Sequence, residues 1–184
     1  KNTIIIDDDL NNCNQAVQLG QKALWYKYYS LLSPIINKGN KHQHKINKKQ
    51  ITPVSSSSDL KAGQAVDRIG VKMGIPFPAG MGLEKLAKKS EKIFKNKIKL
   101  NEGFCSLSGL ENKCLKMLEN GESKEDTAKF LLTYIADTLS EMVKNIFSEY
   151  GELPLVFAGG VMSNSIIREI ITSRFSAFFA EPEF

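Results

Sequence analysis

One stretch constrains this chain more than any other: Leu155-Val156-Phe157-Ala158-Gly159-Gly160-Val161-Met162-Ser163-Asn164. Leu155 to Ala158 is an unbroken apolar run between Pro154 and a glycine pair. A run this short and this rich in β-formers predicts a strand buried on both faces. Beyond Asn164, Ile166, Ile167, Ile170 and Ile171 recur at helical spacing. Strand, glycine pair and helix admit two readings. In the first, the glycines let backbone approach a nucleotide, and the helix N-terminus offers free N–H groups and a positive dipole end. In the second, the glycines make a tight turn and Asn164 is the helix N-cap. Both readings require an α/β arrangement.

The segments before this stretch agree with that class. Ile51 to Val54 reads as a strand, and a serine among Ser55 to Ser58 as the cap of a helix beginning near Asp59. That helix turns Ala62, Ala65, Val66, Ile69 and Met73 inward and ends at Gly74. Ile75 to Gly82 holds two prolines and two glycines, an irregular loop of the kind that carries ligand contacts. A helix over about Leu83 to Phe94 is expected to bury Leu83, Leu86, Ala87, Ile93 and Phe94. Its other side shows Lys85, Lys88, Lys89 and Lys92, either a phosphate-binding stripe or a solvated face. Lys97 to Leu100 reads as a strand, and Ser108 with Glu111 as a capping box for a helix from Gly109. Ser106 and Ser108 are also candidates for ligand contact. Ser123 should cap a long helix that carries Leu131, Ile135, Leu139, Val143 and Ile146 inward and stops at Gly151. Phe175 to Ala180 reads as a final strand.

Composition sets the outer bounds. The chain has 184 residues, 42% hydrophobic and 24% charged, which fits one globular domain or one lobe of a larger protein. No apolar run approaches the roughly 20 residues of a membrane helix, and no signal peptide is recognisable. A cytoplasmic protein without membrane association is expected. The net charge of +5 permits an acidic partner such as nucleic acid. Cys13, Cys105 and Cys114 read as free thiols, and His42 and His44 lie in a lysine-rich stretch poorly suited to a metal.

Residues 1–50 read as an unassigned N-terminal segment with a basic linker, and residues 51–184 as the lobe. Thr3 to Ile6 suggests a strand; Asp7, Asp8 and Asp9 after it suggest an exposed strand end or, alternatively, a metal site. Ala16, Val17, Leu24, Tyr28 and Leu31 follow an approximate helical period, with Trp25, Tyr26, Tyr28 and Tyr29 packing or stacking on a base. Lys38 to Gln50 reads as a linker or hairpin. The chain does not begin with Met and is read as a fragment, with Phe175, Phe178 and Phe179 short of neighbours and the isolated chain marginal in stability.

Three segments go beyond composition. They are Gly63-Gln64-Ala65-Val66-Asp67-Arg68 leading to Pro78-Ala79-Gly80-Met81-Gly82-Leu83-Glu84; Ser106-Leu107-Ser108-Gly109-Leu110; and Ala158-Gly159-Gly160-Val161-Met162-Ser163-Asn164. In this order and spacing they resemble the tRNA adenosine threonylcarbamoyltransferase family (TsaD or Gcp, with a Kae1-like domain), once called O-sialoglycoprotein endopeptidases. The resemblance covers about Ile51 to Phe184. It implies a partial lobe of the actin-like ATPase (ribonuclease H-like) fold and a cleft that takes ATP or threonylcarbamoyl-adenylate. It implies that Asp67 contacts a ribose, that Gly80 lies against the same ligand, that Glu84 is used similarly, and that Asn164, after the Gly159-Gly160 turn, sits at the nucleotide. It also implies tRNA and the partner proteins of a modification complex as partners.

The departures from the pattern carry expectations of their own. Ala79-Gly80-Met81 stands where the family has Gly-Gly-Pro, and Gly63-Gln64-Ala65-Val66-Asp67-Arg68 where it has Gly-Glu-Ala-Phe-Asp-Lys. The family binds iron or another divalent metal through a His-x-x-x-His pair and a later aspartate; this chain has no such pair and reaches Phe184 before that aspartate. The family's Ser-Gly-Gly-His-Thr-type phosphate loop is also absent. The chain alone is therefore expected to lack the metal site and to be inactive. The leading function is threonylcarbamoyl transfer to adenosine in tRNA. The alternative is a non-catalytic nucleotide-binding relative acting through partner proteins. The peptidase label has least support, for the chain shows neither His-Glu-x-x-His nor a nucleophile elbow.

Overall fold

The computed structural model describes residues 2–6, 22–24, 31–32, 53–55 and 57–180. In chain order they form β1 (Asn2–Ile6), β2 (Lys22–Leu24), β3 (Leu31–Leu32), β4 (Pro53–Ser55), α1 (Ala62–Lys72), α2 (Gly80–Ala87), α3 (Ser108–Glu119) and α4 (Lys124–Tyr150). β5 (Leu155–Phe157), a 3-10 turn (Gly160–Ser163), α5 (Ser165–Thr172) and β6 (Ala177–Phe179) follow.

The main sheet has the order β2-β1-β5-β6, and every pairing in it is parallel. β1 meets β5 in the register Ile4–Leu155, Ile5–Val156 and Ile6–Phe157. Parallel neighbours need a crossover, and the 3-10 turn with α5 supplies the one from β5 to β6. Leu155 and Phe157 are fully buried and Val156 is half-buried. The strand read from Leu155 to Ala158 is therefore present, with one face sealed and the other partly covered. Phe157 stacks on Phe179 at a centroid distance of 5.1 Å.

The core lies between this sheet and the helices. α4 is its axis, packed by α2 and α5 with α3 and α1 alongside. The Ser123 hydroxyl caps α4 by accepting the Asp126 N–H at 3.0 Å, and Gly151 ends the helix at φ 78°, a left-handed conformation suited to glycine. Three buried hydroxyls on α4 are satisfied by the preceding turn: Thr127 Oγ1 donates to the Ser123 carbonyl at 2.9 Å, and Thr138 Oγ1 and Ser140 Oγ to the carbonyls of Tyr134 and Ala136 at 2.8 Å each. Asp137, also buried, accepts from Arg174 Nη2 at 2.7 Å and Asn96 Nδ2 at 2.9 Å. Cys105 and Cys114 are free, buried thiols, pushed up by desolvation to about 11 and about 12 respectively.

Five sequence expectations change. α1 starts at Ala62 rather than near Asp59. The intervening residues are held elsewhere: Ser58 donates both its N–H (2.8 Å) and its hydroxyl (3.0 Å) to the Cys105 carbonyl. The Ser108–Glu111 capping box does not form. Leu107 is the N-cap of α3, and the Asp59 carboxylate accepts from the Ser108 hydroxyl (2.6 Å), the Ser106 hydroxyl (2.6 Å) and the Leu107 N–H (2.8 Å). A distant carboxylate thus does the capping, and it accounts for both serines without a ligand.

The helix expected over Leu83–Phe94 is Gly80–Ala87. Beyond it Lys88 to Lys92 is wholly polar, and Ser90 and Lys92 turn aside to bind Asp126 at 2.6 and 2.9 Å. Ile93 is consequently 86% exposed, while Phe94 rests edge-on against Phe130 at 5.4 Å. Lys97–Leu100 is not a strand; only an Asn101–Phe104 bridge forms nearby, around Glu102 and Gly103 at positive φ. Where the helical period over Ala16–Leu31 falls on described residues, these are strands β2 and β3, because short apolar runs fit either state and neighbouring strands decide. Cys13, Asp7 to Asp9, the aromatic group Trp25 to Tyr29, His42, His44 and Lys38 to Gln50 lie outside the described residues. No described helix is long and apolar enough to cross a membrane.

Candidate functional site

A cleft of about 390 Å³ opens where α1, α2 and the β5–α5 connection converge. From α1 come Gly63, Val66 and Asp67; from the loop and α2 come Pro78, Gly80, Met81 and Glu84. Leu132 of α4 forms part of the wall, and Gly160, Val161, Ser163 and Asn164 close the far side. Five residues expected at the site, Asp67, Gly80, Glu84, Gly160 and Asn164, therefore line one cleft although they are widely separated in sequence. Gly159 does not line it. It sits behind the cleft at φ 94° and makes the turn out of β5.

Each polar group is held by a definite contact. Asp67 lies on the half-buried side of α1, and its Oδ1 accepts the Ala79 N–H at 2.8 Å, which fixes the start of α2. Asp67 also borders a second cavity, of about 510 Å³, with Arg68 and Phe77. Glu84 Oε1 accepts from Ser165 Oγ at 2.5 Å and from Lys88 Nζ at 2.7 Å, joining α2 to the first residue of α5. Burial pushes the Glu84 carboxyl up, but the hydrogen bonds from Lys88 and Ser165 outweigh it and leave its pKa lowered. Asn164 is buried, and its Oδ1 accepts the N–H groups of Ile166 (3.1 Å) and Ile167 (3.2 Å). The capping reading of Asn164 holds, and those N–H groups are occupied rather than turned to a phosphate.

The glycines separate by physical reason. Added to Gly82, a Cβ would fall 2.4 Å from Ile75 Cγ2; added to Gly70, it would fall 2.3 Å from Ala79 Cβ. Packing accounts for both. At Gly80 and Gly160 a Cβ would meet nothing within 4 Å, and at Gly63 only Val161 at an ordinary 3.7 Å. None of these three has a positive φ. Gly63 and Gly80 sit within helices, where glycine is disfavoured against alanine by roughly 0.5–1 kcal/mol. The protein itself gives no reason for them, and all three border the cleft.

The lining carries two carboxylates and, among the described residues, no lysine or arginine. Most of it is apolar, and its acceptors are carboxylate oxygens. Such a surface suits a flat apolar ring and vicinal hydroxyls; it does not suit a phosphate. The lysine stripe is partly neutralised: Lys88 pairs with Glu84, and Lys92 with Glu122 and Asp126. Among the described residues no group of three or more His, Cys, Asp or Glu is placed to hold a metal ion. The described residues do not fit the family's divalent metal.

The cleft is also lined by Gly63, Val66, Pro78, Met81, Leu132, Val161 and Ser163, which sequence reasoning did not single out. Only Gly63 left a signal, as a glycine in a helical pattern that no turn required.

The architecture is α/β, a partial lobe of the actin-like ATPase fold. HypF of T. kodakarensis shares that fold with a TM-score of 0.55 at 21% identity, over 71% of this chain and 18% of that one. The family model described as tRNA N6-adenosine threonylcarbamoyltransferase (TsaD) matches residues 22–184, and the chain belongs to that family. The match begins ahead of the segments that carried the resemblance. The enzyme of that name from Thermus thermophilus is 32% identical over 119 residues, 63% of this chain and 37% of the relative. That of Streptococcus pneumoniae is 31% identical over 125 residues, again 63% and 37%. A probable bifunctional tRNA threonylcarbamoyladenosine biosynthesis protein of Thermoplasma volcanium is 30% identical over 62% of this chain and 22% of the relative. The aligned part thus spans little more than a third of the first two relatives.

Proposed function

We propose that the cleft holds the nucleoside end of an adenine nucleotide or of threonylcarbamoyl-adenylate, in a protein that transfers the threonylcarbamoyl group to N6 of an adenosine in tRNA. The observation that carries this reading is the convergence of Asp67, Gly80, Glu84, Gly160 and Asn164 on one apolar cleft whose glycines the fold does not require. Asp67 has one oxygen on the Ala79 N–H and Glu84 one oxygen on Ser165 and Lys88. The second oxygen of each is the natural acceptor for a ribose hydroxyl.

In the transfer, the exocyclic amine of the tRNA adenine attacks the carbamoyl carbon. A C–N bond forms, the bond from that carbon to the adenylate phosphate oxygen breaks, AMP leaves, and the amine loses a proton. Residues that grip the nucleoside contribute by fixing that carbon in place for the incoming amine. Partner proteins of the modification complex belong to the same proposal.

Calorimetric titration of adenosine and ATP into the wild-type chain, Asp67→Asn and Asp67→Ala tests it. Asn keeps an acceptor for the Ala79 N–H and loses the charge; Ala loses both. A hydrogen bond to a charged group contributes about 1.5–3 kcal/mol, so both variants should bind roughly ten-fold or more weakly. Equal affinities, or no binding by folded wild type, would end the reading. Nucleotide binding by the complete protein with no transfer to tRNA would favour the non-catalytic relative instead.

A further inference from the structure

We propose that Met81 is the adjustable wall of the cleft, packing its thioether against the face of the bound base and so setting which flat ring is accepted. The inference rests on the nucleoside reading of the cleft and adds a specificity-determining residue to it.

Met81 is 76% exposed, one of seven large hydrophobic side chains left in solvent among the described residues. It alone of those seven lines this cleft. Its backbone is fixed. The preceding Ala79 N–H is held by Asp67 at 2.8 Å, Gly82 lies against Ile75, and Leu83 is fully buried. The chain thus spends an anchored helix position on an apolar side chain that is mostly free of protein contact. The cleft's other apolar walls are Val66, Pro78, Leu132 and Val161. A methionine here has three rotatable bonds and a polarizable sulfur, which lets it follow the face of a planar ring. Gly80 beside it adds no side chain to hinder the closure. Two of the polar atoms nearby are engaged within the protein: Asn164 Oδ1 is taken by two N–H groups, and Ser163 Oγ donates to the Gly160 carbonyl at 2.6 Å. Contact with the ring face then adds to whatever the Asn164 amide nitrogen reads at the base edge.

The test uses the full chain labelled with 13C-methyl methionine. It has five methionines, and the Met81 signal is the one lost in Met81→Leu. Adenosine at saturation should move that methyl upfield through the ring current of the base. Met81→Ala should weaken adenosine binding about ten-fold, as expected for losing a well-buried apolar contact. Met81→Leu should restore it to within about two-fold, and the thermal transition of both variants should match wild type. A Met81 methyl that stays put while calorimetry records adenosine binding overturns the proposal and leaves the cleft reading standing; so does undiminished binding by Met81→Ala. Absence of adenosine binding by wild type overturns both.

Discussion

Gly80→Ala should stabilise the protein and weaken its ligand binding, a pair of opposite signs that a purely structural glycine cannot produce. Gly80 is the first residue of α2, its φ is not positive, and a Cβ there meets no protein atom within 4 Å. Alanine at a compatible backbone position stabilises by about 0.4–1 kcal/mol, chiefly by narrowing the unfolded ensemble. For a chain of this size that raises the melting temperature by roughly 1–4 °C. Gly80 borders the cleft, so the added methyl enters space that a ligand there would share. If a bound nucleoside reaches van der Waals contact with the backbone, the intrusion costs about 1–3 kcal/mol, as overpacking does in a core. That corresponds to a loss of roughly five- to hundred-fold in affinity. Gly70→Ala is the control: its methyl would fall 2.3 Å from Ala79 Cβ and 3.2 Å from Leu83 Cδ1, so it should destabilise. Differential scanning calorimetry and adenosine titration on both variants give the answer. A destabilised Gly80→Ala, or one that binds adenosine as wild type does, refutes the argument from the glycines.

Asp59 should matter more above pH 4 than below it. Burial raises its pKa, but the hydrogen bonds from Ser106, Ser108, Leu107 and Leu60 override this and hold it well below the usual carboxylate range. A lowered folded pKa stabilises above the ordinary value of 3.8 and loses that contribution as pH falls. Asp59→Ala should cost about 1–2 kcal/mol at pH 6, the range of a lost helix cap, and the deficit in urea unfolding should shrink below pH 4. Arg174→Ala leaves the buried Asp137 with only Asn96. The guanidinium side chain is 37% exposed, so the loss should be roughly 1–3 kcal/mol, below that of a fully buried pair. An unchanged unfolding midpoint would contradict this. Ser165→Ala removes one of the three hydrogen bonds that lower the Glu84 pKa and keeps the backbone bond from residue 165; NMR titration should find that pKa raised towards its ordinary 4.5, and no change would mean the Ser165 hydroxyl contact is not formed in solution.

The fold was legible where one signal outweighed its competitors. α4 follows from a serine cap, a wide apolar band and a terminal glycine that all agree. β5 follows from a short apolar run rich in β-formers and bounded by proline and glycine, which together tip an otherwise ambiguous run to strand. The misreadings share a different cause, namely local chemistry overruled by a distant partner. Ser108 and Glu111 have the spacing of a capping box, yet Asp59, nearly fifty residues earlier, takes the Ser108 N–H together with that of Leu107, and the Glu111 N–H goes to the Leu107 carbonyl. Ile93 lies at helical spacing from Leu86, but Asp126 draws Ser90 and Lys92 out of the helix. Pairwise ties of this length leave no trace in periodicity.

The site was legible in a similar, partial way. Its named residues came from motif resemblance, while the character of the cleft came only with its walls. The glycine pair after β5 suggests a phosphate cradle at a helix N-terminus. That requires free N–H groups and a positive surround. Instead Asn164 occupies the N–H groups of Ile166 and Ile167, and the described lining presents Asp67 and Glu84, the latter paired with Lys88, but no lysine or arginine of its own. Two carboxylates beside a triphosphate repel it, whereas two carboxylate acceptors beside a ribose bind it. Our proposal therefore assigns the strand–glycine–helix unit, which in another setting holds phosphate, to the uncharged end of a nucleotide. Adenosine should consequently bind this chain at least as tightly as ATP, with the difference widening as ionic strength falls. A clear preference for ATP at low salt would show that charge elsewhere in the chain, rather than the cleft lining, governs binding.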